Sequence, residues 1–324
     1  MSIKQYINKF FPIFYQQLSI IAHERRINKN KKKWDKDPEE ALRELYDGMI
    51  GNSLGISLDF NNVKRYTEKI QLRKLYHNKM HSKLSDKYEV RKWVSNKIGD
   101  KYLIPLVGVW NNFDEIEFDK LPDSFVMKTN NASGTNVIIS DKNKINIRLL
   151  KSKFDYWIKM QYWYYMGYEM HYQNIKPKII AEKFIKAADG TDDLNDYKFL
   201  CFDGKVEYIW VDSGRYHNHK RATFDRDWNV MPFNQNEKFS KNMYIPTKPE
   251  NFEEMLSIAE TLAEGFDHVR VDLYNNGGKI YFGEMTFTNG CGYIRFVPDK
   301  YDFILGEKWD FQKEGRRKKC LSIK

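Results

Sequence analysis

Two runs of alternating apolar and polar residues flank a short turn in the C-terminal part of the chain. The runs cover residues 269–274 and 279–287, and an Asn-Asn-Gly-Gly segment separates them. This pattern predicts a β-hairpin. Because side chains alternate between the faces of a strand, Arg270 and Asp272 share one face. A second carboxylate, Glu284, returns on the partner strand, and this set of residues suits Mg²⁺ and a polyphosphate.

The register of this hairpin decides whether the two carboxylates meet. A loop of even length turns Glu284 away from Asp272. A three-residue loop over 276–278, with a bulge at a left-handed glycine, instead pairs Arg270 with Glu284 and Asp272 with Phe282. The metal-site hypothesis therefore requires the odd-numbered loop, and an even-numbered loop without a compensating bulge would make it wrong. An ordinary half-buried hairpin with solvated charges fits the local pattern equally well.

The periodicity elsewhere predicts a mixed α+β chain. Residues 1–85 have the pattern of helices, with apolar residues spaced by three and four over 64–83 and a helix start at Asp37-Pro38. Strands and helices alternate after that. Strands are predicted at 102–110, 124–128, 137–139, 178–185, 196–202 and 205–211, and helices at 86–99, 149–165 and 251–264. The strands on either side of Asp203-Gly204 form a second hairpin.

The composition is that of a globular protein with a basic surface. The 324 residues carry a net charge of +10, and aromatic residues make up 15% of them. A basic chain favours anionic partners such as nucleotides, acidic glycans, nucleic acid or anionic lipid, and charge alone does not choose among them. The three cysteines, Cys201, Cys291 and Cys320, are too widely spaced for a disulfide framework or a zinc site. A reducing cytoplasm is the simplest setting.

The N-terminal apolar residues are interrupted by polar ones and predict neither a signal peptide nor a membrane span. Residues 3–26 fit an amphipathic helix that is followed by the basic run 29–33. We expect this helix to pack onto the main domain. The alternative is peripheral contact with the inner face of an anionic membrane.

The segment 128–136 is a candidate phosphate-binding loop. It lies between two predicted strands and combines Lys128 with small and hydroxylated residues. Backbone N–H groups and hydroxyls in such a loop suit phosphate oxygens, and a lysine adds charge. The spacing is not that of a P-loop. A simple polar hairpin turn is the alternative.

Several stretches together carry a resemblance to a known family. They are Glu68–Gln71, DKYEVRKWV (86–94), YLIPLVGVW (102–110), LPDSFVMKTNNASGTN (121–136), IIAEKF (179–184), DYKFLCFDGK (196–205), VRVDLY (269–274) and IYFGEMTF (280–287). In order and spacing the chain resembles ATP-grasp proteins, and more closely the TupA-like ATP-grasp family, which is associated with teichuronopeptide and other bacterial surface-polymer synthesis.

The resemblance implies an α+β architecture of the ATP-grasp type, in which two α+β lobes clasp ATP, with a helical N-terminal extension. It divides the chain into consecutive parts. These are the helical extension (1–85), a pre-grasp segment (86–125), a small lobe (126–185) and a large lobe with the metal site (186–324).

The resemblance also implies which residues bind the nucleotide. Lys128 matches the family lysine on the α- and β-phosphates, and Lys87 matches a basic residue that reaches the same phosphates. The loop that contains Ser133 and Gly134 closes over the nucleotide. Four consecutive residues form the hinge that holds adenine: Glu182, Lys183, Phe184 and Ile185. The acidic residue on the ribose is Asp189, with Asp192 and Asp193 as alternatives.

Further positions correspond to catalytic and metal-binding residues of the family. Lys198 faces the γ-phosphate, Arg215 is a candidate for gripping the acceptor carboxylate, and Arg270 steadies the acyl phosphate and the tetrahedral intermediate. The implied Mg²⁺ ligands are Asp272, Glu284 and Thr286. Many relatives have asparagine where Thr286 stands, and threonine is a poorer Mg²⁺ ligand. Asn289 is a candidate to assist.

The function implied is that of an ATP-dependent carboxylate–amine ligase, which uses ATP and Mg²⁺ and forms an acyl phosphate. Its substrates would be a small-molecule amine and an acidic sugar or precursor of a bacterial surface polysaccharide. An ATP-grasp kinase is one alternative. A nucleotide-sugar glycosyltransferase is another, suggested by the DxD pattern Asp225-Arg226-Asp227. Nucleic-acid binding is disfavoured, because the aromatic run 162–165 surrounds a helix and does not form a platform.

Overall fold

A computed structural model describes residues 6, 10–188, 190, 194–214, 218–241 and 243–311. The α-helices are α1 (Pro12–Lys36), α2 (Pro38–Tyr46), α3 (Asn52–Leu54), α4 (Tyr66–Leu75), α5 (Lys79–Ser85), α6 (Val90–Ile98), α7 (Ile147–Trp157), α8 (Tyr162–Tyr165), α9 (Glu237–Lys241), α10 (Phe252–Ala263) and α11 (Lys300–Lys308). The strands are β1 (Leu106–Trp110), β2 (Phe125–Thr129), β3 (Asn136–Ile139), β4 (Ile179–Lys183), β5 (Asp196–Phe202), β6 (Lys205–Ser213), β7 (Lys220–Asp225), β8 (His268–Asn276) and β9 (Lys279–Thr286). This content confirms the predicted α+β class and the helical N-terminal region.

The chain divides into two compact units, each assembled from three segments. Unit 1 comprises Met1–Leu42, His77–Val90 and Ile104–Ile185, and unit 2 comprises Arg43–Tyr76, Arg91–Leu103 and Lys186–Lys324. The consecutive division drawn from the sequence stays a prediction.

Unit 1 is built on an antiparallel sheet with strand order β1-β4-β2-β3. Strand β2 alternates buried and half-buried residues, which is the pattern of a strand with one face on a core. The core beneath it includes Phe125, Met127 and Phe154. Predicted strand 102–110 is shorter than expected, because Asp100–Tyr102 forms a 3₁₀ turn and β1 starts only after Pro105. The predicted helix 149–165 is likewise two helices, α7 and α8.

Helix α1 continues ten residues beyond the predicted end at residue 26 and contains the basic run. Lysine is a good helix former, so this run propagates the helix. One side of α1 packs on the aromatic segment of unit 1. Asn30 Nδ2 donates to the Tyr164 carbonyl at 2.6 Å, and the Trp34 ring stacks on Tyr168 with 5.0 Å between centroids. The predicted packing of this helix is thus observed for one of its sides.

Unit 2 is built on a five-stranded antiparallel sheet with order β7-β6-β5-β8-β9. Strand β5 is buried along its whole length, and α10 packs against the sheet through Met255, Leu262 and other buried residues. An aromatic core that includes Trp210, Phe296 and Trp309 lies within the same unit. Among the described residues, no helix is long and apolar enough to cross a bilayer.

The β8–β9 hairpin corrects the predicted register. Asn276 pairs with Lys279, so the loop has two residues, Gly277 and Gly278, both with positive φ as a type I′ turn requires. The bulge lies at Gly283 within β9, and beyond it Asp272 pairs directly with Glu284 and Arg270 with Thr286. The predicted pairs, Arg270 with Glu284 and Asp272 with Phe282, are therefore wrong. The bulge restores by another route the shared face that the metal-site hypothesis needs.

Candidate functional site

Unit 1 places Lys128 next to Glu182. Strands β2 and β4 are antiparallel neighbours, and Val126 lies directly opposite Glu182, which makes Lys128 and Glu182 diagonal neighbours on one face. The Lys128 Nζ lies 2.5 Å from a Glu182 carboxylate oxygen, and the two side chains are 18% and 8% exposed. A partly exposed lysine whose ammonium group is held by a buried carboxylate suits contact with an oxyanion such as phosphate.

The loop that follows β2 is fixed by Asn130. Its Nδ2 donates to Asp86 Oδ1 at 2.9 Å and to the Lys176 carbonyl at 3.0 Å, and its Oδ1 accepts from the Lys178 backbone N–H at 2.7 Å. Burial raises the pKa of the Asp86 carboxyl, and the Asn130 amide opposes that rise. Asn130 is fully buried, so these bonds are shielded from water. The loop is therefore anchored at its base.

The rest of the loop presents the predicted phosphate-binding residues. Thr129 and Thr135 close the neck of the loop through a hydroxyl–hydroxyl bond of 2.7 Å. Ser133 and Gly134 form an exposed tip, with Gly134 at φ 74°. The Lys87 Nζ donates to the Ala132 carbonyl at 2.6 Å. Lys87 thus contacts the loop, its role on the phosphates stays a prediction, and Asp86 and Asn130 are anchors that the sequence alone did not indicate.

The four predicted adenine-binding residues follow one another at the end of β4. Glu182 is buried, whereas Lys183 is exposed and Phe184 and Ile185 are half-buried. The Lys183 backbone N–H is already bonded to the Pro105 carbonyl at 2.9 Å. Asp189, Asp192 and Asp193, the candidates for the ribose, lie outside the described residues, as does Arg215.

Unit 2 carries a set of charged residues that extends across all five strands of its sheet, and we call it the charge row. The register sets Asp212 opposite Arg221, Asp196 opposite Asp212, Lys198 opposite Asp272, and Asp272 opposite Glu284. Like charges that face each other directly are destabilising unless cations intervene. Here Lys198 and Arg221 supply the cations at Asp196 and Asp212, and Arg270 supplies the cation between Asp272 and Glu284.

Arg270 is the centre of this row. Its Nε and Nη2 donate to the two oxygens of Asp272 at 2.6 and 2.7 Å, and Nη2 also donates to Glu284 Oε1 at 2.8 Å. Nη1 donates to Asn289 Oδ1. The guanidinium is thus held as a fork, the geometry in which arginine recognises oxyanions best.

Burial and charge act in opposite directions on this centre. Burial alone would lower the pKa of Arg270, but the carboxylates of Asp272 and Glu284 raise it above its ordinary value. Burial raises the pKa of Asp272, and the cations Arg270 and Lys198 oppose that rise. The arginine therefore stays charged, which a residue that stabilises anions must do.

Lys198 joins the two halves of the row. Its Nζ lies 2.7 Å from Asp272 Oδ2 and 3.9 Å from Asp212 Oδ2, and it also donates to Asp196 Oδ2. Arg270, Lys198, Asp272, Glu284 and Thr286, all selected from the sequence, are in this way brought together on one face. The structure adds Asp196, Asp212, Arg221 and His219.

Asp212 is held between two basic groups. Arg221 Nη2 donates to it at 2.6 Å, and His219 Nε2 lies 3.0 Å from Oδ1. Burial raises the pKa of Asp212, but Arg221 and His219 outweigh that effect and hold the pKa well below its usual range. The sequence signal for these residues was the presence of charges inside otherwise apolar strands, as in Asp196-Tyr197-Lys198.

The donor chemistry of this face suits Mg²⁺. Asp272 and Glu284 offer hard oxygen ligands from adjacent strands, and the Thr286 hydroxyl lies 3.2 Å from Glu284 Oε1. Mg²⁺ commonly uses one or two carboxylates and completes its shell with water and substrate phosphates. Within the part of the chain that the structure describes, no group of three or more His, Cys, Asp or Glu residues is placed to hold a metal ion. Water and ligand oxygens would therefore supply the remaining positions of the shell.

The DxD pattern has a structural role in a turn. Asp225 Oδ1 accepts the backbone N–H groups of Asp227 and Asn229 at 3.0 and 2.8 Å. Arg226 pairs with Glu260 on α10. Asp225 thus organises the turn after β7, which is the solvated-loop interpretation of the pattern.

Comparison with known proteins supports a family assignment. The sequence profile of the TupA-like ATPgrasp family matches residues 68–310, and no curated protein matches the chain. Similar solved structures include D-alanine–D-alanine ligase from Bacillus anthracis complexed with ATP (17% identity, TM-score 0.40, 72% of this chain and 69% of that one). They also include N5-carboxyaminoimidazole synthetase from Staphylococcus aureus complexed with ADP (10%, 0.38, 63% and 44%) and L-amino acid ligase from Bacillus licheniformis (12%, 0.39, 68% and 47%). The chain thus spans about half the length of these last two proteins. The profile match covers most of the chain, and the chain belongs to the TupA-like ATP-grasp family.

Proposed function

We propose that the protein is an ATP-dependent carboxylate–amine ligase that forms an amide through an acyl phosphate. Family membership supports ATP as the phosphoryl donor. The observation that carries the proposal is the buried Arg270 fork, held by Asp272 and Glu284 beside Lys198. Two fixed cations among carboxylates suit a reaction in which negative charge moves from phosphate to a carbonyl oxygen.

The chemistry explains why such a site is needed. A carboxylate resists attack by an amine because its carbonyl carbon is shielded by negative charge and oxide is a poor leaving group. In the first step, a carboxylate oxygen attacks the γ-phosphorus of ATP, the bond to ADP breaks and an acyl phosphate forms. In the second, the neutral amine attacks the carbonyl carbon, phosphate leaves with the C–O bond electrons, and the amine loses a proton.

The residues of this chain have separate tasks in that reaction. Lys128 and the loop anchored by Asn130 bind phosphate oxygens, and residues 182–185 hold adenine. Lys198 and Arg270 stabilise the transferring phosphoryl group and the oxyanion. Asp272 and Glu284 would hold Mg²⁺, with Thr286 beside them, and the ion would neutralise phosphate charge when bound.

We further propose that the substrates are an amino acid or similar amine and a uronic acid or other acidic sugar, in cytoplasmic precursors of a bacterial surface polysaccharide. The family's association with surface-polymer synthesis supports this, and the net charge of +10 agrees with an acidic substrate.

The activity is tested by incubating the full chain with ATP, Mg²⁺, uronic acids and amino acids. We expect ADP and phosphate only when both acid and amine are present, together with an amide detected by mass spectrometry. A stable phosphorylated product without amide would indicate a kinase. Release of UDP from a UDP-sugar, without ATP consumption, would indicate a glycosyltransferase and contradict the proposal.

Arg270→Ala tests the residue at the centre of the site. Loss of one preorganised charge contact costs about 3 kcal/mol, so we expect the rate of ADP formation to fall ~10²-fold or more. Arg148→Ala is the matched control, because Arg148 is exposed and belongs to α7 of unit 1, whereas the charge row belongs to unit 2. Equal activity of the Arg270 variant and the control would remove Arg270 from the mechanism.

A further inference from the structure

Helix α1 exposes a continuous face that is apolar in its first half and basic in its second. The residues of this face follow one another at spacings of three and four, which places them on one side of the helix. They are Phe11 at the N-cap, then Phe14, Leu18, Ile21, Arg25, Lys29, Lys32 and Lys36. We call them the exposed face of α1.

In the part of the chain that the structure describes, the core does not cover the apolar half of this face. Phe11, Phe14, Leu18 and Ile21 are 57%, 54%, 44% and 49% exposed. The side of α1 that packs on unit 1 is a different one, since Ile27 and Asn30 are buried there. Scattered exposed apolar residues are normal, but a row of large ones along one helix face marks an interaction surface.

The basic half of the face indicates what that surface meets. Arg25, Lys29, Lys32 and Lys36 are all exposed and continue the same line. The only acidic residues between 12 and 36 are Glu24 and Asp35. If the same faces of two copies met, the basic half would lie against the basic half of a parallel partner, which like charges oppose, or against the apolar half of an antiparallel partner, which would bury unpaired charge.

We propose that the exposed face of α1 binds the surface of an anionic lipid bilayer. The apolar half, about 15 Å long at 1.5 Å per residue, enters the boundary between headgroups and acyl chains, and the basic half contacts anionic headgroups. The helix lies in the plane of the surface, because its apolar stretch is too short to span the bilayer. The protein thereby works at a membrane face independently of which substrates its active site takes.

Sedimentation of the full chain with lipid vesicles tests this proposal. We expect binding to vesicles of phosphatidylcholine mixed with phosphatidylglycerol, much weaker binding to pure phosphatidylcholine, and release by salt, because screening weakens the attraction. Each basic residue near an anionic surface strengthens binding about fivefold. Combined replacement of Lys29, Lys32 and Lys36 by glutamine should therefore weaken vesicle binding about a hundredfold.

A second combined variant tests the apolar half. Combined replacement of Phe14, Leu18 and Ile21 by serine should weaken vesicle binding at least about tenfold, because it removes apolar area that enters the bilayer. The fold should stay intact, because these exposed side chains do not enter the core. Two control variants make the same changes at exposed positions elsewhere and should bind like the wild type. They are the glutamine replacements of Lys92, Lys238 and Lys279, and the serine replacements of Met49, Val230 and Ile245.

Four results would overturn the proposal. One is no binding to the anionic vesicles, and another is equal loss in the test and control variants. The third is a wild-type protein that does not bind vesicles but forms a concentration-dependent dimer, together with a monomeric serine variant at 14, 18 and 21. That result would assign the face to a second copy of the chain. Capture of an acidic protein by the face, with no vesicle binding, would likewise assign it to a protein partner.

Discussion

Replacement of Asn130 by alanine should loosen the candidate phosphate loop from its base. The change removes three side-chain hydrogen bonds, to Asp86, to the Lys176 carbonyl and from the Lys178 N–H. The site is fully buried, so water does not replace them. At about 1 kcal/mol for each bond, the free energy of unfolding should fall by about 3 kcal/mol.

The same change should weaken nucleotide binding. In the wild type the loop is held in place before the ligand arrives, whereas in the variant the ligand must order it. We expect the dissociation constant of a non-hydrolysable ATP analogue to rise about tenfold, which corresponds to about 1.4 kcal/mol. Urea unfolding measures the free energy of unfolding, and isothermal titration calorimetry measures the dissociation constant of the analogue.

The matched control is Asn143→Ala, because Asn143 is an exposed residue of the same unit. It should leave both quantities at their wild-type values. If Asn130→Ala lowers stability and leaves the dissociation constant of the analogue unchanged, the loop does not bind the nucleotide and this part of the site is wrong.

Three further changes test other parts of the structure. In Gly283→Ala the new Cβ would lie 3.1 Å from the Asp272 carbonyl oxygen. The free energy of unfolding should therefore fall by about 1–2 kcal/mol, and the rate of ADP formation should fall severalfold. Gly48→Ala is the control and should change neither quantity, because the space around Gly48 is open. Burial lowers the pKa of His268 to about 3, so stability is lost as pH falls from about 6.5 towards 3. Between pH 7 and pH 5 the wild type should lose about 2 kcal/mol more than His268→Gln in urea unfolding, and parallel losses would show that His268 does not resist protonation. Glu284→Gln should raise the Mg²⁺ concentration for half-maximal ADP formation about tenfold, and an unchanged Mg²⁺ requirement would place the ion elsewhere.

The type and order of the main elements could be predicted from the sequence. The runs of β-forming residues in β5, β6 and β8 and the helical spacing in α10 are strong local signals. The three strands are buried along most of their length, and α10 packs one face on the sheet. The family resemblance then selected the residues that the unit 2 sheet brings together, among them Lys198, Arg270, Asp272 and Glu284. The local pattern alone does not distinguish a metal site in this hairpin from ordinary solvated charges.

The register of β8 and β9 was beyond the sequence analysis. Two glycines in the turn make both a two-residue and a three-residue loop acceptable, and a bulge at Gly283 has no distinctive local pattern. The choice between the two loop lengths depends on contacts of the folded protein. The Gly278 N–H donates to Asn275 within the hairpin, and the Gly278 carbonyl accepts from Asn251, which precedes α10.

The charge partners across strands were also missed for a physical reason. Asp212 and Arg221 lie nine positions apart and meet only because β6 and β7 pair in one register. Asn130 was included in the loop but not recognised as its anchor, because its partners at 86, 176 and 178 come from distant segments of unit 1. Such contacts depend on the fold and leave no periodic signal in the chain.

Oxygen-isotope transfer tests the proposed acyl phosphate most directly. The acid substrate that supports ADP formation is prepared with ¹⁸O in its carboxylate and incubated with the full chain, ATP, Mg²⁺ and the amine. We expect one ¹⁸O atom in each inorganic phosphate released, because the phosphate leaves with the former carboxylate oxygen. Phosphate without ¹⁸O, formed together with the amide, would contradict the acyl-phosphate mechanism.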